Sequence, residues 1–244
     1  MKVSIITTTY NDVENLKKII KEVCKQDYDN IEHIIVDGSS TDDTLQVIEE
    51  YKKHYADRVK YISEKDSGIY DAINKGIKMA TGDIIGCCFD KYADEHVISD
   101  IVYSLEDEAV GGVHGDLCYM DGEQLVRYWK QGEGRISQGW MPGHPTLYLK
   151  REVYDEFGLY KTDYKISADY EFMVRILKND QVKLAYINRV LILMSHGGTS
   201  TNSLKAYLHS MQEGHRALKE NGVKMAWMID LKRILRVLRQ FIDK

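Results

Sequence analysis

The chain has 244 residues, 43% hydrophobic and 29% charged, enough to bury one substantial core and inconsistent with a disordered tail or a membrane-embedded protein. Lys and Arg number 33 against 38 Asp and Glu, a net charge of −5 that lacks the strongly basic balance of a general nucleic-acid binder, so no nucleic-acid partner is expected. The four cysteines, Cys24, Cys87, Cys88 and Cys118, show no C-x-x-C spacing, which argues against a zinc ribbon or a disulfide framework and for a reducing, cytoplasmic compartment.

Val3 to Ile6 reads as a first strand that turns polar at Thr7, with neither a signal peptide nor a spanning helix expected there. Asn11 and Glu14 resemble a capping pair, and Val13, Leu16, Ile19, Ile20 and Val23 then repeat on one helix face. Ile31 to Val36 is a second strand running into Asp37-Gly38-Ser39-Ser40, and Leu45, Val47, Ile48 and Tyr51 mark the next helix. A third strand over Val59 to Ile62, a helix over 69–80 and a fourth strand over Ile84 to Phe89 complete a βαβαβαβ order. That order predicts an α/β, Rossmann-like, mostly parallel sheet with helices on both faces and ligand at the C-terminal ends of its strands.

The second half is mixed. Val113 to Met120, Asp121-Gly122 and Leu125 to Trp129 read as a hairpin, because Asp-Gly supplies positive φ angles. A loop over 131–146 follows, then helices near Glu152 and over Ala168 to Lys178, and short strands over Val182–Ile187 and Val190–Met194. No repeat or low-complexity linker divides the chain, so residues 1–110 and 111–220 are expected to form one unit, with 221–244 set apart. Residues 224–244 carry six basic residues against Asp230 and Asp243, alongside Trp227, Met228, Leu231, Ile234, Leu235, Leu238, Phe241 and Ile242. This basic amphipathic helix suits either an anionic membrane interface or docking on protein.

Asp37 ends an apolar strand beside small polar residues, where a carboxylate can accept from a base N–H or a ribose hydroxyl and backbone N–H groups can meet phosphate. A helix cap is the alternative, though Ser40, Thr41 or Asp42 would serve equally. In residues 64–76 the helix face needs Ile69, Ala72, Ile73 and Ile77, leaving Asp66, Tyr70, Asp71, Asn74 and Lys75 without a packing reason; Lys75 can neutralise a diphosphate.

Together, Ser4-Ile5-Ile6-Thr7-Thr8-Thr9-Tyr10-Asn11, Ile35-Val36-Asp37-Gly38-Ser39-Ser40-Thr41-Asp42, the run from Asp66 through Gly68-Ile69-Tyr70-Asp71-Ala72 to Asn74-Lys75-Gly76, and Ala80-Thr81-Gly82-Asp83 resemble family 2 glycosyltransferases of the GT-A fold over about residues 1–200. The resemblance implies a nucleotide-diphosphate sugar donor, UDP-linked in the first instance, transfer to a saccharide hydroxyl, and inversion at the anomeric carbon; the basic helix over 224–244 adds a lipid-linked saccharide as an expected acceptor. It implies that Thr8 and Tyr10 line the nucleotide pocket, that Asp37 contacts the base, and that Asp66, Tyr70, Asn74 and Lys75 lie on the donor. Cell-surface polysaccharide or glycolipid synthesis is the expected setting, and the basic C-terminal helix makes the inner face of the cytoplasmic membrane the expected peripheral location.

The family's paired carboxylates after the fourth strand are reduced here to Asp90 in Gly86-Cys87-Cys88-Phe89-Asp90-Lys91, where Mg²⁺ or Mn²⁺ can still bind through one carboxylate, phosphates and water. Lys91 either supplies part of that charge or points to solvent. Asp169, in Ser167-Ala168-Asp169-Tyr170-Glu171, matches the family's catalytic base, against the alternative of a first-turn carboxylate favoured by the helix dipole. His144 and His196 match segments near acceptor and diphosphate, with His196 a further metal candidate, and Trp129 and Trp140 suit either a sugar face or the core. A nucleotidyltransferase or an oxidoreductase would need glycines after the first strand, which Thr7 to Asn11 lacks. A catalytically silent nucleotide-sugar-binding or scaffold protein is the other alternative, argued from the shortened Asp90 segment.

Overall fold

The computed structural model describes residues 1–195 and 204–239. β1 (Val3–Thr9), β2 (Ile31–Asp37), β3 (Val59–Ser63) and β4 (Ile84–Cys87) lie parallel in the order β3-β2-β1-β4. β-branched residues dominate β1 and β2, and both strands are covered on two faces as a central parallel pair requires. α1 (Val13–Cys24), α2 (Thr44–Tyr55) and α3 (Ile69–Met79) are the crossovers. Leu16, Ile48 and Tyr51 pack with Ile35 on one side, while Ile73 and Ile77 pack with Ile6, Ile34 and Val36 on the other. Helices therefore cover both faces.

Beyond β4 the sheet turns antiparallel through β8 (Tyr148–Lys150), then continues through β6 (Gly112–Asp121) and β9 (Leu184–Ser195) to the two-residue β5 (Lys91–Tyr92). β7 (Gln124–Trp129) pairs with β6, and the hairpin turn falls on Gly122 and Glu123, one residue later than Asp-Gly suggested; Gly122 takes φ +59°. The two short strands expected over 182–194 are one strand. Gly115 pairs with Ile187 and Asp116 with Val190, so Asn188 and Arg189 bulge out, and Arg189 uses the bulge to reach Asp94 and Asp100. At the β4–β8 contact a Cβ on Gly86 would sit 2.1 Å from the Tyr148 ring, so only glycine lets that fully buried tyrosine cross the sheet.

α4 (Val97–Ser104), α5 (Arg151–Phe157), α6 (Ala168–Leu177), α7 (Leu204–Glu220) and α8 (Ala226–Arg239) complete the chain. Asn11 is not a cap. Asp12 holds that position without a side-chain bond, and Asn11, at φ 48°, instead accepts the Thr41 N–H at 2.7 Å and ties the start of α1 to the loop after β2. α8 packs on α7, where Ala226 and Ile229 are buried, Arg233 stacks 3.8 Å from the Tyr170 ring and His215 meets Asp230 at 2.6 Å. The docking alternative for the basic helix thus holds for one of its faces. All four cysteines are free.

Candidate active site

Strand register builds the rim. Thr9 lies beside Asp37 and Asp37 beside Ser63, so the C-terminal ends of β1, β2 and β3 meet at one level. Asp37 is fully buried; its carboxylate accepts from the Ser63 hydroxyl at 2.6 Å, the Ser40 N–H at 3.1 Å and the Ser40 hydroxyl. It organises residues 38–42, and with no exposed surface it reaches a ligand only if Ser40 gives way. Thr8 is half-buried and Tyr10 is 64% exposed, leaving its ring open to solvent above this rim. A Cβ on Gly38 would lie 3.0 Å from Asp66 and 3.2 Å from Tyr10, so these three residues are in near contact.

Asp66 accepts the Gly68 N–H at 3.0 Å and so shapes the turn into α3, where Gly68 has φ +136°. From the first turn of α3, Tyr70 reaches across the molecule. Its hydroxyl lies 3.0 Å from Asp169 Oδ1 and 2.5 Å from the Ile166 carbonyl, sharing its proton between them. Burial, then the Asp169 charge, pushes the phenol far above its usual range, so it stays protonated and acts as the donor. Asp169 is half-buried in the first turn of α6; Oδ1 also accepts the Tyr170 N–H at 2.8 Å, while among the described residues Oδ2 accepts nothing.

His144 joins the same cluster. Its Nε2 lies 2.9 Å from the Tyr160 hydroxyl, and its ring lies 5.8 Å from Phe89, next to Asp90. Desolvation holds the imidazole below its usual pKa, with the Asp169 charge acting the other way, so it is a neutral group near the carboxylate. Tyr160 stacks on Tyr70 at 5.9 Å, and its backbone exchanges two hydrogen bonds with Asn74.

Tyr70 and Asn74 do have packing reasons, contrary to the sequence reading: both are buried, and each ties α3 to the second half. Asn74 spends both ends of its amide on Tyr160. Lys75 is engaged by the Lys65 carbonyl at 2.7 Å and Glu64 at 3.0 Å. Lys91 is exposed, the solvent alternative. Trp140 is core, 5% exposed, with its N–H on the Gln131 carbonyl at 3.0 Å. His196 lies outside the described residues.

Asp90 is half-buried; Oδ2 accepts the Ser195 N–H at 2.6 Å and Oδ1 its neighbour's N–H at 3.0 Å, which leaves further acceptor positions on both oxygens. It stands at the edge of a cavity of about 570 Å³ between α1 and the β6–β7 turn, lined also by Asn15, Lys18, Glu22 and Glu123, and by neither Asp37 nor Asp169. Among the described residues no three His, Cys, Asp or Glu side chains cluster as a metal site. One carboxylate beside open space still suits a hard cation completed by phosphate oxygens and water.

Sequence reasoning missed Thr9, whose buried hydroxyl has no partner among the described residues, and Tyr160, which joins His144 to Tyr70. The β-strand alternation around Thr9 was a usable signal; nothing local marks Tyr160.

The Glycosyl transferase family 2 model matches residues 4–164, and the chain belongs to that family as a glycosyltransferase. A PGL/p-HBAD biosynthesis glycosyltransferase of Mycobacterium bovis is 24% identical over 207 residues, covering 82% of this chain and 79% of its own. An uncharacterized glycosyltransferase of Mycobacterium tuberculosis is 30% identical over 183 residues, covering 71% and 68%. Among solved structures, S. aureus TarS 1-349 superposes with a TM-score of 0.72 at 16% identity, over 96% of this chain and 71% of that one. PcManGT from Pyrobaculum calidifontis, a mannosyltransferase in complex with GDP-Man and Mn²⁺, gives 0.66 at 18% identity, over 90% and 63%. The fold is GT-A.

Proposed function

We propose that the enzyme moves a sugar from a nucleotide-diphosphate donor, UDP-linked, to a saccharide hydroxyl with inversion. The observation that carries this reading is Tyr70: its hydroxyl bonds Asp169 from the first turn of α3, just after the turn that begins at Asp66 beside Gly38 and Tyr10, which supports a nucleotide rim and a base bordering one cleft. In a single displacement Asp169 Oδ2 takes the acceptor hydroxyl's proton as its oxygen attacks the anomeric carbon and the nucleoside diphosphate leaves from the opposite face. Tyr10 covers the base, Asp66 and Thr8 border the ribose, and Asp37 holds the loop that meets the nucleotide, reaching the base itself when Ser40 yields. Asn74 serves indirectly by fixing Tyr160, and His144 borders the sugar.

Asp90 would hold Mg²⁺ or Mn²⁺, which would neutralise the departing diphosphate; His196 is a second candidate ligand. TarS has been crystallised with UDP-GlcNAc, which supports a UDP-linked donor without fixing the sugar. A thermal-shift screen of UDP-, GDP-, dTDP- and CMP-sugars with and without Mn²⁺ tests this, because a ligand of the folded state raises its apparent stability. A UDP-sugar should give the largest shift, enlarged by Mn²⁺; a uniform absence of shifts contradicts the reading.

A relative from Methanococcus voltae is named as a glucuronosyltransferase acting on a dolichyl N-acetylglucosaminyl phosphate, which supports a lipid-linked saccharide acceptor. No helix among the described residues is long and apolar enough to cross a membrane, but Trp227, Leu231 and Leu235, four residues apart on α8, are 63%, 51% and 49% exposed beside Lys224 and Lys232. We propose that this face meets an anionic membrane surface. Substituting all three residues by Ala should abolish cosedimentation with phosphatidylglycerol vesicles; undiminished partition would contradict it.

A further inference from the structure

We infer that Glu213, on α7, is a positioning residue for Asp169; this rests on Asp169 being the base. Glu213 is 7% exposed and its carboxylate gathers three consecutive backbone donors, the N–H groups of Lys165 at 2.7 Å and of Ile166 and Ser167 at 2.9 Å each. Burial opposes its charge, yet those three N–H groups outweigh burial and hold its carboxyl below the usual range, so the anion is the form that the segment is built around. A tether from the same helix adds to it, Ser167 Oγ meeting Ser210 Oγ at 3.0 Å.

The pinned segment is the one that presents the base. Ser167 holds the position before the first turn of α6, Asp169 stands two residues further on, and the Ile166 carbonyl and Asp169 Oδ1 share the Tyr70 hydroxyl. Tyr70 fixes this frame from the first half of the chain and Glu213 from behind. Released, residues 165–167 can move, and both acceptors of the Tyr70 hydroxyl move with them. Oδ2 then loses its aim at an incoming hydroxyl, and a displacement near 1 Å costs a reaction on the order of 100-fold.

The test is Glu213→Gln, whose single acceptor oxygen and NH₂ group cannot serve three donors. We expect kcat to fall about 10- to 100-fold with donor KM changed less than about 3-fold. Glu213→Asp, which keeps the charge, should recover part of the loss and provides the same reading should the glutamine variant fail to fold. In an Asp169→Asn background Glu213→Gln should cost little more, since the two act as a unit. A lowered melting temperature with wild-type kcat in the folded variant, or an undiminished effect in the Asp169→Asn background, overturns the proposal. Full turnover in Asp169→Asn alone would instead remove the base assignment.

Discussion

Asp169→Asn is expected to lower kcat by roughly 100- to 10,000-fold at saturating acceptor, the usual contribution of a positioned general base. The substitution is close to isosteric, and an amide oxygen in place of Oδ1 still accepts from Tyr70 and from the Tyr170 N–H, so the frame around the base should survive. What disappears is the proton acceptor at Oδ2. Donor-induced thermal stabilisation should match that of wild type, because the nucleotide rim is built from other residues. A single-turnover assay separates the steps: a variant that binds donor and turns over within a few-fold of wild type would exclude Asp169 as base.

The second large effect is on stability, at the opposite end of the sheet. Glu32 is fully buried, with Lys2 at 2.7 Å, Lys60 at 2.9 Å, the Ser4 hydroxyl at 2.6 Å and the Gly82 N–H at 3.2 Å, and further bonds from Thr81. Glu32→Ala leaves these donors facing a void and should cost about 3–5 kcal/mol of unfolding free energy. Burial disfavours the charge, but the bonds from Lys2, Ser4 and Thr81 prevail and hold the carboxyl well below its ordinary value of 4.5. The unfolded chain therefore binds a proton before the folded one does. The carboxylate's contribution is complete above about pH 5 and is lost as pH falls toward the folded-state value. Urea unfolding at pH 7 and pH 3 should show a smaller difference between wild type and Glu32→Gln at the lower pH; an equal difference would contradict the linkage.

The parallel half was legible because its periodicities are strong: alternating strand and helix patterns, with Asp37 closing the second strand and Asp66 in the loop after the third, are local signals. The contacts that join the halves were not. Tyr70 and Asn74 look like solvated helix residues, since their burial comes from Tyr160 and Ile166, some ninety residues away. α7 escaped notice for a related reason. Glu213 and Gly214 stand on its inward face beside Ala217 and Leu218, so an amphipathic stripe is interrupted by a carboxylate whose partners are backbone N–H groups. Asn11 read as a cap from its spacing to Glu14; its side chain does accept an N–H, but from Thr41 rather than from its own helix. Asp37 was legible as a rim residue, but its burial under Ser40 and Ser63 follows from register between strands.

The most direct test of a donor rim and a base bordering one cleft is a crystal structure of the enzyme with a nucleoside diphosphate and Mn²⁺. The nucleobase should lie against Tyr10 and the loop after Asp37, the diphosphate beside Asp90, and Asp169 Oδ2 should face the vacated sugar position. A nucleotide lodged between α1 and the β6–β7 turn, with Asp169 on the far side of the protein from its phosphates, would contradict it.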